Sequence, residues 1–290
     1  MPGACVKGGS VMRTAGTTER PSIGPRLVDM VGWNRGSLVY VGGLLLTLGG
    51  VISLRWQELS RFFWWWQPGD SFWEQVDWFL LLTLALLFLL VVRDTEIERD
   101  RLILVVGFAG GMALEGWGTG TGLWEYFTGE CPPLWILPAW PIASLAIERA
   151  SELLLDRLDV RRLCNPGRVY WLVFSVYLLV MLNFVAPFLD SPLTLAAVLV
   201  QLYLILTPSE KRHHLVYFGI GAAIGCLLEV WGTTRLCWTY YTGQTPPLFA
   251  IMAHGMAAVA FSRTVDFIRV VQREAGRVMA GTESHPNPTA

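Results

Sequence analysis

Eight apolar runs, at about 37–54, 76–92, 102–118, 134–150, 169–187, 192–207, 215–232 and 248–265, dominate this 290-residue chain. Each approaches the ~17–25 residues that carry a helix across the hydrocarbon of a bilayer. The runs predict an all-α, polytopic transmembrane bundle of about eight spans, several of them short or interrupted by Gly, Pro and a carboxylate. Composition agrees: charged residues make up 16% and apolar ones 53% of the chain, against ~25% charged in ordinary soluble domains, and the mean hydropathy is +0.45. A soluble two-domain enzyme is thereby excluded. A net charge of −1 and a pI near 6.4 supply no basic field, which excludes nucleic acid as a partner.

Residues 1–36 hold five Lys/Arg among many Gly, Pro, Ser and Thr, without an apolar stretch ending in a small-residue cleavage site. They read as a flexible cytoplasmic arm rather than a removable signal peptide. The segments 1–36, 93–101, 151–168, 208–214 and 266–290, with Arg149 and Arg263 at the matching ends of the fourth and eighth runs, hold nineteen Lys/Arg; the opposite loops hold Arg55, Arg61 and Arg235. Cytoplasmic loops collect Lys and Arg, so the bias predicts a plasma (cytoplasmic) membrane protein with both termini cytoplasmic.

Shifting the chain by 114 residues without a gap superimposes 111–149 on 225–263 with 17 identities in 39 positions, against about three expected by chance. Gly107, Gly111, Glu115, Trp117, Gly118, Thr119, Trp124, Tyr126, Thr128, Gly129, Pro132, Pro133 and Leu134 recur as Gly221, Gly225, Glu229, Trp231, Gly232, Thr233, Trp238, Tyr240, Thr242, Gly243, Pro246, Pro247 and Leu248. The chain therefore reads as a tandem duplication of a four-helix unit, 37–158 and 169–268, with a disordered tail at 273–290. Four spans per repeat is an even number, so the copies share one orientation and are related by an axis along the membrane normal. The first copy carries an extra outer segment at about 55–75.

Gly107, Gly111, Glu115 and Gly118 fall on one α-helical face, as do Gly221, Gly225, Glu229 and Gly232. Stripes of small residues let helices approach closely in lipid, and an ionised carboxylate facing acyl chains is costly; each Glu is expected to point inward. From Leu102 the helix rises roughly 20 Å to Glu115, which puts both acids in the outer third of the bilayer. Trp117, Thr119, Trp124 and Tyr126, and again Trp231, Thr233, Trp238 and Tyr240, follow in an outer loop ahead of a helix opened by Pro-Pro. Such a loop covers the acid with rings. A hydrophobic lid raises the pKa of a carboxyl group as a general acid requires, and aromatic faces also suit cation–π capture.

Plainer readings stand beside these. Trp and Tyr at membrane edges form interfacial belts, as Trp64-Trp65-Trp66 does; glycine stripes are packing devices; a buried Glu also serves as a structural bond to loop backbone; Thr119 and Thr233 cap or close the loop. His254 lies six residues into the eighth helix, close to the depth of Glu229, and suits either a Glu/His proton pair or a bond to a backbone carbonyl. Trp140 occupies its place in the first copy, so the second site is the better chemical candidate. His213 and His214 read as solvated loop residues, and Arg149 and Arg263 as snorkelling to the inner headgroups. The five Cys form neither a CxxC pattern nor a Cys/His cluster, so no metal is expected. Cys131 and Cys237 both fall in outer loops, bonded or free. No P-loop, dinucleotide fingerprint, Ser-centred elbow or HExxH is present, and no cofactor is implied.

The spacing of an acid, Trp two later, Trp nine later and an aromatic eleven later, then a Pro-led helix, reads Glu115, Trp117, Trp124, Tyr126, Leu137-Pro138 and again Glu229, Trp231, Trp238, Tyr240. It resembles the repeat of the small membrane-bound carotenoid enzymes, the lycopene cyclase type and its hydratase relatives, over about 35 residues of each copy. The resemblance implies tandem helical repeats and acid-initiated chemistry on a long polyene. Where that family places a pair of acids, this chain has Ala139-Trp140-Pro141 and Ala253-His254-Gly255, leaving Glu115 and Glu229 as proton donors.

Three functions follow as expectations. The first is acid–base chemistry on an apolar isoprenoid or lipid, with Glu229 and Glu115 as catalytic acids, His254 as partner, and Trp117, Trp124, Tyr126, Trp231, Trp238, Tyr240, Thr119 and Thr233 lining the substrate. The second is a carrier or binding protein for a cation or polar solute. The third is a non-catalytic scaffold whose aromatic loops dock a partner.

Overall fold

The computed structural model describes residues 32–62, 71, 76–157 and 165–283. Trp64-Trp65-Trp66, Cys5 and Cys164 lie outside them. The elements run α1 (Arg35–Leu54), α2 (Trp56–Phe62), α3 (Trp78–Val91), α4 (Ile97–Thr121), β1 (Trp124–Tyr126), α5 (Ala139–Arg157), α6 (Pro166–Val185), a 3-10 turn at Ala186–Phe188, α7 (Pro192–Leu206), α8 (Lys211–Thr234), β2 (Trp238–Tyr240) and α9 (Leu248–Glu283). Among the described residues five helices, α1, α4, α6 with its 3-10 extension, α8 and α9, are long and apolar enough to cross a membrane. The chain is a mostly helical membrane protein. The apolar helices α3 and α7 are shorter, and Glu148, Arg149, Glu152, Asp156 and Arg157 crowd the second half of α5.

Local chemistry sets the helix ends. Asn34 and Ser37 form a capping box at α1, Asp77 caps α3 by accepting from the Leu80 N–H at 3.0 Å, and Pro166 and Pro192 open α6 and α7, where a missing N–H leaves no helical bond unmade. α4 stops at Gly122, whose φ of 77° turns the chain left-handed while its N–H reaches back to Gly118 and Thr119. At the corresponding turn after α8 the left-handed residue is Leu236, φ 56°.

The centre is built by α4, α5, α8 and α9: α4 packs along α5, α8 along α9, and each pair crosses to the other through α5–α8 and α4–α9. α6 lies against α8 and α9, driving Tyr170, Phe174, Tyr177, Met181 and Phe184 into the core. α1 is peripheral, its apolar side chains largely exposed as a lipid-facing helix requires; it is tied down where Ser37 Oγ donates to the Val92 carbonyl at 2.6 Å.

Several expectations change. Pro247 leads directly into α9, but α5 begins only at Ala139, after turns at 134–138. Pro138 lacks the N–H that a helix starting at Leu134 would need there, whereas the matching residue in α9 is Met252. The last helix continues to Glu283, through residues read as the start of a disordered tail, with Arg277 donating to Glu274 one turn away at 2.7 Å. Arg149 does not snorkel: it is 2% exposed and donates to Asp100 at 2.5 Å and to the Arg93 carbonyl at 3.0 Å. His214 is not a solvated loop residue either, since α8 starts at Lys211 and buries it in its first turn. Cys131 is exposed, Cys237 is buried, and both are free. Burial pushes the Cys237 thiol up to about 12, keeping it protonated and a poor disulfide former.

Candidate functional site

At the end of the bundle opposite Asp100 and Arg149, the chain leaving α4 and the chain leaving α8 meet as a two-stranded antiparallel ribbon. Trp124 pairs with Tyr240, Glu125 with Thr239 and Tyr126 with Trp238. Alternation along a strand sends successive side chains to opposite faces, so Trp and Tyr of each strand point together toward the helices while Glu125 faces out.

Under the ribbon each carboxylate has three side-chain hydrogen-bond partners. Glu115 accepts from Trp124 Nε1 at 3.0 Å, Tyr126 Oη at 2.9 Å and Trp140 Nε1 at 3.0 Å. Glu229 accepts from Trp238 Nε1 at 3.0 Å and Tyr240 Oη at 2.9 Å, and His254 Nε2 faces its Oε1 at 3.0 Å. The two acids are 3% and 4% exposed. Indole nitrogens only donate, and burial together with the neighbouring carboxylate pushes the Tyr126 and Tyr240 phenols well above their ordinary range, so both stay protonated donors. Charge-assisted bonds of this kind contribute ~1.5–3 kcal/mol each. They fasten the ribbon to the helix ends.

The glycine stripe is the recess that makes this possible. A methyl group on Gly118 or Gly232 would overlap the ring of Trp124 or Trp238, and one on Gly111 or Gly225 would overlap Trp140 or His254. Close backbone approach, the role expected of the whole stripe, falls to Gly107 and Gly221, which face Pro141 Cα and the His254 carbonyl.

The two cradles touch. Trp140 and His254 stack with centroids 5.4 Å apart and planes 17° apart, and Trp124–Tyr240 and Tyr126–Trp238 lie at 5.9 and 5.8 Å. His254 is the one imidazole among the six partners, able to donate or accept at either ring nitrogen, and its side chain is 20% exposed.

Not every residue singled out from the sequence comes to the acids. Trp117 donates across the bundle to Thr194 Oγ1 at 3.2 Å, and Trp231 to Asp77 Oδ2 at 2.9 Å; two residues along a helix from each Glu, they project from another face. Thr119 and Thr233 bond back to the carbonyls of Glu115 and Glu229, each at 2.6 Å, inside the helix. Sequence reasoning passed over Asp77, which also accepts from Arg235 at 3.1 Å; an Asp opening an apolar run is an N-cap signal that points to it. It also passed over Trp135, which donates to Thr128 at 3.3 Å and meets Tyr126 edge-on at 5.5 Å; the residue 114 positions later is Phe249, so a search for recurring residues gave no signal. Among the described residues no group of three His, Cys, Asp or Glu is placed to hold a metal ion.

No family model, curated protein or solved structure matches this chain.

Proposed function

We propose that the protein is a membrane-embedded enzyme using the Glu229–His254 pair for acid–base chemistry on an apolar isoprenoid or lipid substrate. In this reading the chain is a tandem duplication of a four-helix unit with about eight spans, its copies parallel about an axis along the membrane normal and both termini cytoplasmic. The 17 shared residues in 39, hydrogen bonds that recur at a 114-residue offset and a ribbon centred on the corresponding pair Glu125 and Thr239 support the duplication. Nineteen Lys/Arg against three support the orientation.

One observation carries the chemistry: of two otherwise matching cradles, one closes with an indole, whose nitrogen can only donate a hydrogen bond, and the other with an imidazole, whose ring nitrogens can both give and take a proton. Glu115 is then the structural twin. A proton passing from the doubly protonated His254 ring at Nε2 to the Glu229 carboxylate at Oε1 along the 3.0 Å contact leaves a neutral imidazole and a carboxylic acid, which donates the proton to a substrate double bond; loss of a proton from the neighbouring carbon returns one to the pair. Trp238, Tyr240 and Trp140 surround the pair with ring surfaces that stabilise developing positive charge. Trp231, committed to Asp77, takes no part.

The test is a His254→Gln protein, which keeps a neutral N–H donor of similar reach but no ring nitrogen that can pass a proton to Glu229. Membrane extracts of a deletion strain carrying wild type or His254→Gln are compared for pigment and lipid composition. The variant is expected to fold and to leave the deletion extract unaltered. Full restoration by His254→Gln overturns the proposal, as does a deletion strain whose extract equals wild type.

A carrier is the second reading, favoured by polar groups between the cradles and the opposite end. Ser144 donates to the Trp140 carbonyl at 2.8 Å and Tyr217 to Glu148 at 2.8 Å, and both line a ≈ 20 Å³ void, enough for one water. It predicts proton- or cation-dependent uptake into vesicles that Glu115→Gln abolishes.

A further inference from the structure

At the end of the bundle away from the ribbon, α4 and α8 begin at matching places 114 residues apart but on different side chains, and one of the differences is a buried charge. In the first copy Asp100, in the first turn of α4, neutralises Arg149 of α5 inside the protein. The residues 114 later are His214 in the first turn of α8 and Arg263 of α9. The carboxylate is gone, and a cavity of ≈ 250 Å³ stands there, walled by Ser209, His213, His214, Ser262 and Arg263. That volume far exceeds the ~10–15 Å³ that one water needs.

His214 is 5% exposed, and its Nδ1 is buried with no hydrogen-bond partner among the described residues. Its Nε2 is engaged by Ser209 Oγ at 3.1 Å; the tautomer that accepts there leaves Nδ1–H to donate. Arg263 uses its guanidinium on the Leu204 carbonyl at 2.9 Å and Thr207 Oγ1 at 3.3 Å, bonds to neutral oxygens where Arg149 has a carboxylate. The first turn of α8 adds backbone amides and the positive end of a helix dipole. The acids on the cavity wall, Glu210 and Asp266, are both exposed, and Asp266 pairs with Arg269 at 3.9 Å.

We propose that this cavity binds a phosphate group, whose oxygens take the place of the Asp100 carboxylate between His214 and Arg263 and accept from His214 Nδ1–H, Arg263 and Ser262, while Ser209 stays committed to His214 Nε2. A planar carboxylate satisfies one guanidinium, as in the first copy; a wider hole ringed by imidazole, guanidinium and the Ser262 hydroxyl suits a tetrahedral oxyanion. The phosphate belongs to a phospholipid headgroup or to a soluble phosphate, and the test separates them. This site does not depend on the chemistry assigned to Glu229 and His254.

Full-length protein in a phosphate-free maltoside detergent is titrated calorimetrically with inorganic phosphate. In parallel, protein in nanodiscs of phosphatidylglycerol and phosphatidylcholine is released into native mass spectrometry to count retained lipid. Wild type is expected to bind one equivalent of at least one probe, inorganic phosphate marking a soluble source and retained phosphatidylglycerol a headgroup. His214→Asp, which rebuilds the Asp100–Arg149 arrangement, is expected to weaken binding at least tenfold while melting no lower than wild type; Arg263→Gln is expected to weaken it comparably. Binding unchanged within twofold in either folded variant, or no binding of either probe by wild type, overturns the proposal. Should His214→Asp fail to fold, His214→Gln with Arg263→Gln decides it on the same criterion.

Discussion

Gly116 and Gly118 stand two residues apart in α4, and space treats them oppositely: a methyl group on Gly116 meets nothing within 4 Å, while one on Gly118 strikes the Trp124 indole. Gly118→Ala is expected to destabilise the protein by about 1–3 kcal/mol through overpacking, and Gly116→Ala to be neutral or to stabilise it by up to ~1 kcal/mol through helix propensity; thermal unfolding in detergent checks both. The tyrosine donors give a second prediction. Their phenols titrate well above 10.0 in the folded protein and near it when unfolded, so their contribution is complete below pH 10 and is lost as pH rises further. Melting temperatures measured across an alkaline series should therefore fall less steeply in a Tyr126→Phe/Tyr240→Phe protein than in wild type. At this scale the sequence displayed the acids, the glycine face and the aromatic spacing. It did not sort Trp124 from Trp117: whether an indole reaches back to a carboxylate or across to another helix depends on where the chain turns after Gly122.

Among the elements, α4 and α5 depend on a charge pair that hydropathy misreads. Arg149 looks like a residue bound for the headgroups because long basic chains near span ends usually are; its destination depends on Asp100, 49 residues earlier, being opposite it. Asp100→Asn leaves the buried Arg149 guanidinium no anion but the Glu152 carboxylate, at the longer distance of 3.8 Å, and is expected to cost roughly 3 kcal/mol, measured by thermal unfolding, with Asp100→Asn/Arg149→Met recovering part of the loss. Helix starts were legible where the apolar run itself begins the helix, as at Trp78 in the run 76–92, and hidden where a proline interrupts, as at Pro138. The three-residue strands were not legible at all. Trp-Glu-Tyr and Trp-Thr-Tyr are too short for alternation to register, and each is extended because the other supplies its hydrogen bonds.

For the whole molecule the ribbon is the join. Its pairing puts Glu125 opposite Thr239, and directly opposed antiparallel residues lie ~5.5 Å apart at Cα, within disulfide reach. In a protein with a protease site inserted between residues 158 and 164, Glu125→Cys with Thr239→Cys should keep the two fragments covalently joined after cleavage and oxidation, and reduction should release them. Either cysteine alone should leave them separable on a denaturing gel. A joined product from a single variant, or none from the double, would show that the ribbon register is wrong.

What the sequence determined by itself is the solvent and the cast. Apolar runs with few charges require helices in lipid because hydrocarbon hydrates no backbone, and an acid that returns with the same aromatic neighbours 114 residues on marks both carboxylates as partnered. Only the tertiary structure decided the partners: Trp140 closes one cradle and His254 the other, 25 residues from their acids, and Asp100 reaches Arg149 where His214 faces a cavity. Spacing along one helix fixes which residues share a face; which residues of a different helix meet that face is fixed by packing, and no local period encodes it.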